Sequence, residues 1–408
     1  MIARELFPSD ILKLSSEKVG GIILVTGGVT SHLSILARSL RIPLVIVDLP
    51  QLLMVPEDTW ILLDAELGNI YINPSEEVIQ SFQARNDDRA RIGEQKYSMT
   101  ATTATSDGIR VKLMANINLL TDLKLACELH AEGVGLYRTE FPFLIRSNFP
   151  TEEEQFVIYR KLVKGMPGNV TTLRTLDIGG DKILPYYPDT KEKNPFLGMR
   201  SIRFSLHNKE VFRQQIRAIL RAGTGADARI MFPMISSVDE FQEARETVLE
   251  CMEALRKENI SYNEKLKIGM MVEIPSVVDI IDELAQEADF FCIGTNDFIQ
   301  YMLAVDRTNE KVAGFYLPYH PSVLRAIKKV VDAACRHGIE VSICGDMAHE
   351  EKYLSYFLGI GVRVLSLDPA YLPKIQKAIS EISLDQAIRT AETILSLGKV
   401  SDIARILD

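Results

Sequence analysis

The sequence predicts an α/β protein: a (β/α)8 barrel preceded by a smaller, partial β/α domain. Three observations carry this. Beyond residue 107, short β-branched runs alternate with amphipathic segments, the pattern of parallel strands joined by helices. Eight such runs fall between residues 107 and 408. That count favours a closed barrel over a doubly wound open sheet, which alternates in the same way. Residues 1–75 form a separate compositional unit with apolar runs of their own.

Within residues 1–75, Gly21-Ile-Ile-Leu-Val-Thr26 and Ile42-Pro-Leu-Val-Ile-Val47 read as strands flanking a helical stretch. Trp60-Ile-Leu-Leu-Asp64 leads through a turn at Leu67-Gly-Asn69 into a short strand at 70–72. Residues 76–106 change texture: Glu76, Glu77, Arg85, Asp87, Asp88, Arg89, Arg91 and Glu94 predict a solvated linker helix, closed by a Thr/Ser-rich patch. The barrel strands are expected at 111–117, 134–140, 171–179, 229–235, 267–274, 290–297, 340–347 and 362–367. Amphipathic segments separate most of them. In 321–337, for example, Leu324, Ile327, Val330 and Val331 recur on one helical face.

Composition narrows the class. The chain of 408 residues carries 46 basic and 55 acidic side chains, a formal net charge of −9, which argues against a general nucleic-acid binder. No apolar stretch approaches the ~18 residues of a membrane span, and the N-terminus lacks the apolar core of a signal peptide. Cys127, Cys251, Cys292, Cys335 and Cys344 are scattered without a C-x-x-C pair, as expected of reduced thiols in a cytoplasm.

In a barrel of this kind, reactive groups project from the C-terminal ends of the strands. Those ends read Tyr137-Arg-Thr-Glu140, Arg174-Thr-Leu-Asp177, Val272-Glu-Ile-Pro275, Gly294-Thr-Asn-Asp297 and Cys344-Gly-Asp-Met347. Glu273 and Asp297 lie at adjacent strand ends, where two carboxylates suit a hard cation such as Mg²⁺. Taken singly, each is better read as a helix cap or an arginine partner; the matched positions favour metal. Arg138, Arg174, Arg200 and Arg307 lie near glycine-containing turns or strand ends and suggest a polyanionic substrate gripped by paired hydrogen bonds. Cys344 reads equally as a small core residue or as an acid delivering a proton to a substrate carbon. His32 follows Gly27-Gly-Val-Thr-Ser31 in the first turn of an expected helix, where backbone N–H groups would receive a phosphoryl group.

Together these stretches resemble the phosphoenolpyruvate-utilising enzymes, and among them Enzyme I of the bacterial phosphotransferase system. The matching residues are Gly27-Gly-Val-Thr-Ser-His-Leu-Ser-Ile-Leu-Ala-Arg-Ser39, Leu136-Tyr-Arg-Thr-Glu140, Arg174-Thr-Leu-Asp-Ile-Gly-Gly-Asp-Lys182 and Asn194-Pro-Phe-Leu-Gly-Met-Arg200. Met231-Phe-Pro-Met234, Gly294-Thr-Asn-Asp-Phe-Ile-Gln-Tyr301, Leu303-Ala-Val-Asp-Arg307 and Cys344-Gly-Asp346 continue the series in the family's order.

The resemblance implies transfer of the phosphoryl group of phosphoenolpyruvate to His32, release of pyruvate, and onward transfer to an HPr-like phosphocarrier. It implies that Arg138 and Arg174 bind the substrate phosphate, with Arg307 in the same shell and Arg200 nearby. Asn296 would contact the phosphate, Glu273 and Asp297 would hold Mg²⁺ beside the substrate, and Cys344 would protonate the enolpyruvate carbon. It further implies a phosphohistidine domain that swivels on its linker, and a homodimer formed through the barrel. Gly135-Leu-Tyr-Arg138, Ser147-Asn-Phe-Pro-Thr-Glu-Glu-Glu-Gln155 and Tyr319-His-Pro-Ser322 are closer to the nitrogen-related branch.

Two departures stand out. Family members often read Gly-Asp where this chain has His349-Glu350, which makes His349 a candidate newcomer to the site. Neither the helical carrier-docking domain nor a sensory GAF domain is present, so the chain reads as the C-terminal portion of such an enzyme, its 1–75 domain incomplete. Three other readings compete. A synthase or dikinase of the same superfamily would need a nucleotide-binding domain that the sequence lacks. A Mg²⁺-dependent lyase-type barrel would leave His32 and Cys344 without a role. A regulatory fragment would bind phosphoenolpyruvate without relaying phosphate.

Overall fold

In the computed structural model the chain divides into two compact units, Met1–Tyr97 and Ser98–Asp408. The residues described are 1–4, 6, 10–11, 13–14, 17, 19–25, 37, 40, 42–65, 68–80, 82–83, 99–144, 146–179, 184, 186–187, 192–307, 309 and 311–407.

In the first unit, β1 (Ile2–Ala3), β2 (Ile22–Val25) and β3 (Leu44–Val47) make a parallel sheet in that order. The apolar runs read from the sequence become β2 and β3, and Ile23 and Val25 bury one face against Leu52. The turn at Gly68 (φ +71°) joins β4 (Ile61–Asp64) to β5 (Asn69–Ile72) as an antiparallel hairpin. Residues 76–80 and 82–83 are helical, within the expected linker.

The second unit is a closed barrel. A short β6 (Thr103–Ala104) runs antiparallel beside β7 (Arg110–Ile117). Then β8 (Gly133–Arg138), β9 (Val170–Arg174), β10 (Ala228–Phe232), β11 (Lys267–Val272), β12 (Phe290–Gly294), β13 (Glu340–Cys344) and β14 (Val364–Leu367) pair in parallel, each with the next. Ring closure comes from β14 pairing with β7, Val364 against Lys112 through Leu367 against Ala115. All eight expected barrel strands are present.

Alternation along the strands sorts the side chains into two layers. On β10, Ile230 and Phe232 join the large core beneath the helices, as do Phe291 and Ile293 on β12. Their neighbours Met231, Phe290 and Cys292 join Leu136, Met271 and Cys344 in a separate inner cluster. Pro321–His337 shows how the helices are fixed. The His320 side chain accepts the N–H of Ser322 at its start, and Gly338 (φ +66°) ends it. Val323, Leu324, Ala326, Ile327, Val330 and Val331 are buried between. Each large one contributes roughly 1.5–3 kcal/mol by leaving water, so a charge at Ile327 would break this face.

Six of the eight strands end two to five residues sooner than the sequence suggests, and two of them show why. The strand expected at 171–179 stops at Arg174, and that expected at 290–297 stops at Gly294, where the helix Thr295–Leu303 begins. The cause is polar satisfaction. Thr295 donates its hydroxyl to the Cys344 carbonyl (2.9 Å), and Leu176 N–H reaches Gln215 Oε1 (2.9 Å), pairings outside the strand ladder. Asp297 therefore stands in the first turn of a helix and not on a strand.

Candidate active site

At the C-terminal end of the barrel, Arg138 on β8 and Arg174 on β9 are register partners. Arg174 is buried and sits among three carboxylates. Its Nη2 donates to Glu140 Oε1 (2.6 Å) and lies 3.1 Å from Asp177 Oδ2, while its Nη1 lies 3.7 Å from Glu273 Oε1. Burial disfavours its charge, but Glu140, Asp177 and Glu273 outweigh that and raise the guanidinium above its ordinary value. The strand end is braced from behind. Thr139 donates its hydroxyl to the Arg174 carbonyl (2.9 Å), and Gln215 Nε2 donates to that hydroxyl (3.1 Å).

Arg200 arrives on a loop and not on a strand. Gly179 (φ +97°) lets that loop cross closely: a Cβ there would lie 2.6 Å from the Met199 carbonyl oxygen and 2.9 Å from Arg200 Cα. The next residue, Ser201, holds a strained φ of +60°, a conformation that concentrates at functional sites. Arg200 thereby reaches Asp177 with Nε and Nη2, and Asp297 with Nη1 and Nη2.

Glu273 and Asp297 complete the charged layer. Glu273 Oε2 accepts the N–H of Met234 (2.9 Å), a residue held at φ +57°. Burial first, and the Asp297 charge second, push the Glu273 carboxyl up to about 8. Burial also works against the Asp297 charge, but Arg200 and Arg307 outweigh it and hold that carboxyl below its ordinary range. The two carboxyls offer hard oxygen donors from adjacent strand ends, a set that fits a divalent cation. Among the described residues no cluster of three or more His, Cys, Asp or Glu side chains encloses an ion site. Mg²⁺ commonly takes only one or two protein carboxylates and completes its shell with water and substrate oxygens.

On the neighbouring strand end, Cys344 is buried and its Sγ–H points to the Ile293 carbonyl (3.5 Å). The adjacent Cys292 thiol and burial push the Cys344 thiol well above its ordinary range, so it holds its proton. Gly345 (φ +92°) turns the chain immediately after it; a Cβ there would lie 2.4 Å from Thr295 Oγ1 and 2.7 Å from Asn296 Oδ1. Asn296 Oδ1 accepts the Asp346 N–H (2.8 Å), which orients its amide, and the Tyr316 hydroxyl donates to the Asn296 carbonyl (3.2 Å). Arg307 Nη1 lies 4.0 Å from Asp346 Oδ2, and Arg138 Nη1 donates to Asn118 Oδ1 (3.3 Å).

Contacts therefore bring Arg174, Arg200, Glu273 and Asp297 into one network. Asn296, Cys344 and Arg307 meet around the loop that follows β13, and Arg138 joins by strand register. His32 lies outside the described residues. His349 stacks on Tyr371, ring centroids 4.3 Å apart and planes 14° from parallel, and so ties the loop after β13 to the one after β14. Glu140, Asp177 and Tyr301 belong to the network although the sequence marks the first two only as polar strand-end residues. Their signal is spacing: Asp177 lies three residues past Arg174, and Tyr301 one helical turn past Asp297. Three buried polar atoms here, Arg174 Nε, Thr175 Oγ1 and Ser201 Oγ, have no hydrogen-bond partner among the described residues. Such atoms each cost roughly 1–3 kcal/mol unless water or a ligand supplies the partner.

Comparison with known proteins gives the chain its family. The PEP-binding domain of PEP-utilising enzymes matches residues 93–384, and the mobile domain of PEP-utilising enzymes matches residues 1–68. A phosphoenolpyruvate-protein phosphotransferase of Bacillus sp. (strain S) is 42% identical over 407 residues, 99% of this chain and 70% of the relative. Proteins of the same name from Bacillus subtilis (42% identical; 99% of this chain, 71% of the relative) and Haemophilus influenzae (40%; 100% and 71%) match as fully. By matches that span both of its units, the chain belongs to the phosphoenolpyruvate-protein phosphotransferase family of PEP-utilising enzymes.

Proposed function

We propose that the barrel accepts phosphoenolpyruvate at the Arg174 end of its strands and that the protein transfers the phosphoryl group to His32, releasing pyruvate. The observation that carries this is the place of Gly294. It is the register partner of Cys344, and the space its missing Cβ would fill is taken by Glu273. One glycine thus separates a protonated thiol from a carboxylate suited to a metal, the spacing that one small phosphorylated enol would bridge.

The chain's own residues supply most of the step. Arg174 and Arg138 hold the phosphoryl oxygens, and Arg307 and the Asn296 amide add donors at the rim. Mg²⁺, held by Glu273 and Asp297, would supply charge neutralisation on the phosphoryl and enolate oxygens. The bond between phosphorus and the enol oxygen breaks as the neutral His32 imidazole bonds to phosphorus. The resulting enolate takes the Cys344 proton on its methylene carbon, which yields pyruvate, and the thiolate recovers a proton from solvent.

Onward transfer to an HPr-like phosphocarrier, a nitrogen-related role, a homodimer through the barrel and a cytoplasmic location complete the reading. They are supported by the family resemblance and, for location, by the scattered thiols. Among the described residues no helix is long and apolar enough to cross a membrane.

The test is phosphoryl labelling. Phosphoenolpyruvate labelled on phosphorus, with Mg²⁺, should label the wild-type chain and leave His32→Ala unlabelled. Wild-type protein that binds phosphoenolpyruvate but takes no label would leave only a binding role.

A further inference from the structure

All of the hydrogen-bonding capacity of Arg200 is spent. A guanidinium has five N–H donors in a fixed fork. Here Nε donates to Asp177 Oδ1 (3.2 Å), and Nη2 to Asp177 Oδ2 (3.4 Å) and Asp297 Oδ2 (3.0 Å). Nη1 donates to Asp297 Oδ1 (3.2 Å) and to the Tyr301 hydroxyl (3.0 Å). The Tyr301 proton is itself committed to the Phe196 carbonyl (2.6 Å), and the Phe196 ring lies 5.8 Å from the guanidinium carbon. Arg200 therefore has no donor left for a substrate phosphate, and each oxygen of Asp297 already accepts one N–H of a cation that belongs to the protein.

We propose that Arg200 couples metal binding to substrate binding by exchanging Asp297 for the substrate phosphate. This rests on the reading of Glu273 and Asp297 as metal ligands. With no metal bound, Arg200 compensates the Asp297 carboxylate. A metal ion on Asp297 sets a second cation against the guanidinium and draws charge from the oxygens that Nη1 and Nη2 hold, and the N–H groups so loosened then need another acceptor. A phosphoryl oxygen provides one, while Nε and Nη2 keep their grip on Asp177 and hold the side chain in place. Each ligand thereby removes the cost of binding the other, and by linkage the effect is reciprocal. Arg200 is on this account a positioning residue whose role is visible in binding, apart from turnover.

The experiment is an Mn²⁺ titration followed by electron paramagnetic resonance, with and without phosphoglycolate as an unreactive phosphorylated acid. Wild type, Arg200→Gln, Arg200→Lys and Glu273→Gln are compared. Wild type should bind Mn²⁺ more tightly when phosphoglycolate is present. Arg200→Gln, with the competing cation gone, should bind Mn²⁺ alone on the order of tenfold more tightly, and phosphoglycolate should add less than it does in wild type. Arg200→Lys keeps the charge but loses the fork, so it should retain only part of the coupling; should the Gln variant fail to fold, full wild-type coupling in Arg200→Lys overturns the proposal. Arg200→Gln binding Mn²⁺ no more tightly than wild type, while Glu273→Gln has lost the ion, overturns the proposal alone. Glu273→Gln binding Mn²⁺ as wild type does overturns the metal site, and the proposal with it.

Discussion

Gly294 and Glu273 compete for one small volume. A Cβ on residue 294 would lie 2.8 Å from Glu273 Cγ and 2.9 Å from its Oε1, closer than carbon contacts allow. The backbone at 294 has a negative φ (−84°) that alanine adopts freely, so the obstacle is the carboxylate and not the chain. Gly294→Ala should therefore fold, at an overpacking cost of about 1–3 kcal/mol, and push Glu273 away from Asp297. Chemical denaturation measures the first effect and Mn²⁺ affinity the second; unchanged ion binding would show that Glu273 has room to spare.

Cys344→Ser keeps the shape of the side chain but replaces a thiol with a much weaker acid. Substrate binding should persist while pyruvate release slows by about 10²–10⁴-fold, the usual worth of a positioned proton donor. Rapid-quench measurement of pyruvate against calorimetric binding separates the two, and unchanged turnover would return Cys344 to the ordinary core.

Arg174 faces three carboxylates at once. Arg174→Met leaves Glu140, Asp177 and Glu273 buried without it, and removing one partner of a buried pair costs about 3–5 kcal/mol. Arg174→Lys keeps the charge but cannot span the same acceptors. It should retain the fold, by circular dichroism and thermal melting, while the KM for phosphoenolpyruvate rises.

Glu154 offers a pH signature remote from the site. The Thr151 backbone N–H first, and Arg146 second, hold its carboxyl at about 2 against an ordinary 4.5. Because the folded value is depressed, this contribution to stability is complete above pH 4.5 and is lost as pH falls through about 2. The Thr151 hydroxyl also donates to the Glu154 carboxylate (2.9 Å) and, as the other half of the capping box, accepts the Glu154 N–H at 3.4 Å. Thr151→Ala should thus lower the denaturation midpoint at neutral pH, and the gap from wild type should narrow as the solution is acidified.

The barrel was legible because its strands differ so sharply from what surrounds them. Runs such as Ala228–Phe232 and Phe290–Gly294 are buried along their whole length, and the helices between keep a strict apolar face. Strand ends were not legible. Thr175 to Asp177 and Thr295 to Asp297 prolong the run of residues without a local stop signal, and what ends each strand is a partner far away in sequence, Gln215 or the Cys344 carbonyl. The same holds inside the site. The sequence marks Arg174, Arg200, Glu273 and Asp297, but that Asp177 joins the two arginines depends on a loop crossing at Gly179 that no periodicity announces.

The pairing of β14 with β7 sets a timetable for synthesis. Val364 meets Lys112 only after the 251 intervening residues have left the ribosome. Until then every partial barrel carries two raw sheet edges, β7 and whichever strand was last completed, each ready to pair with another chain. Closure is the longest-range event in the ring and among the slowest to reward itself. The nascent protein thus stays open to edge pairing with other chains until its last strand emerges.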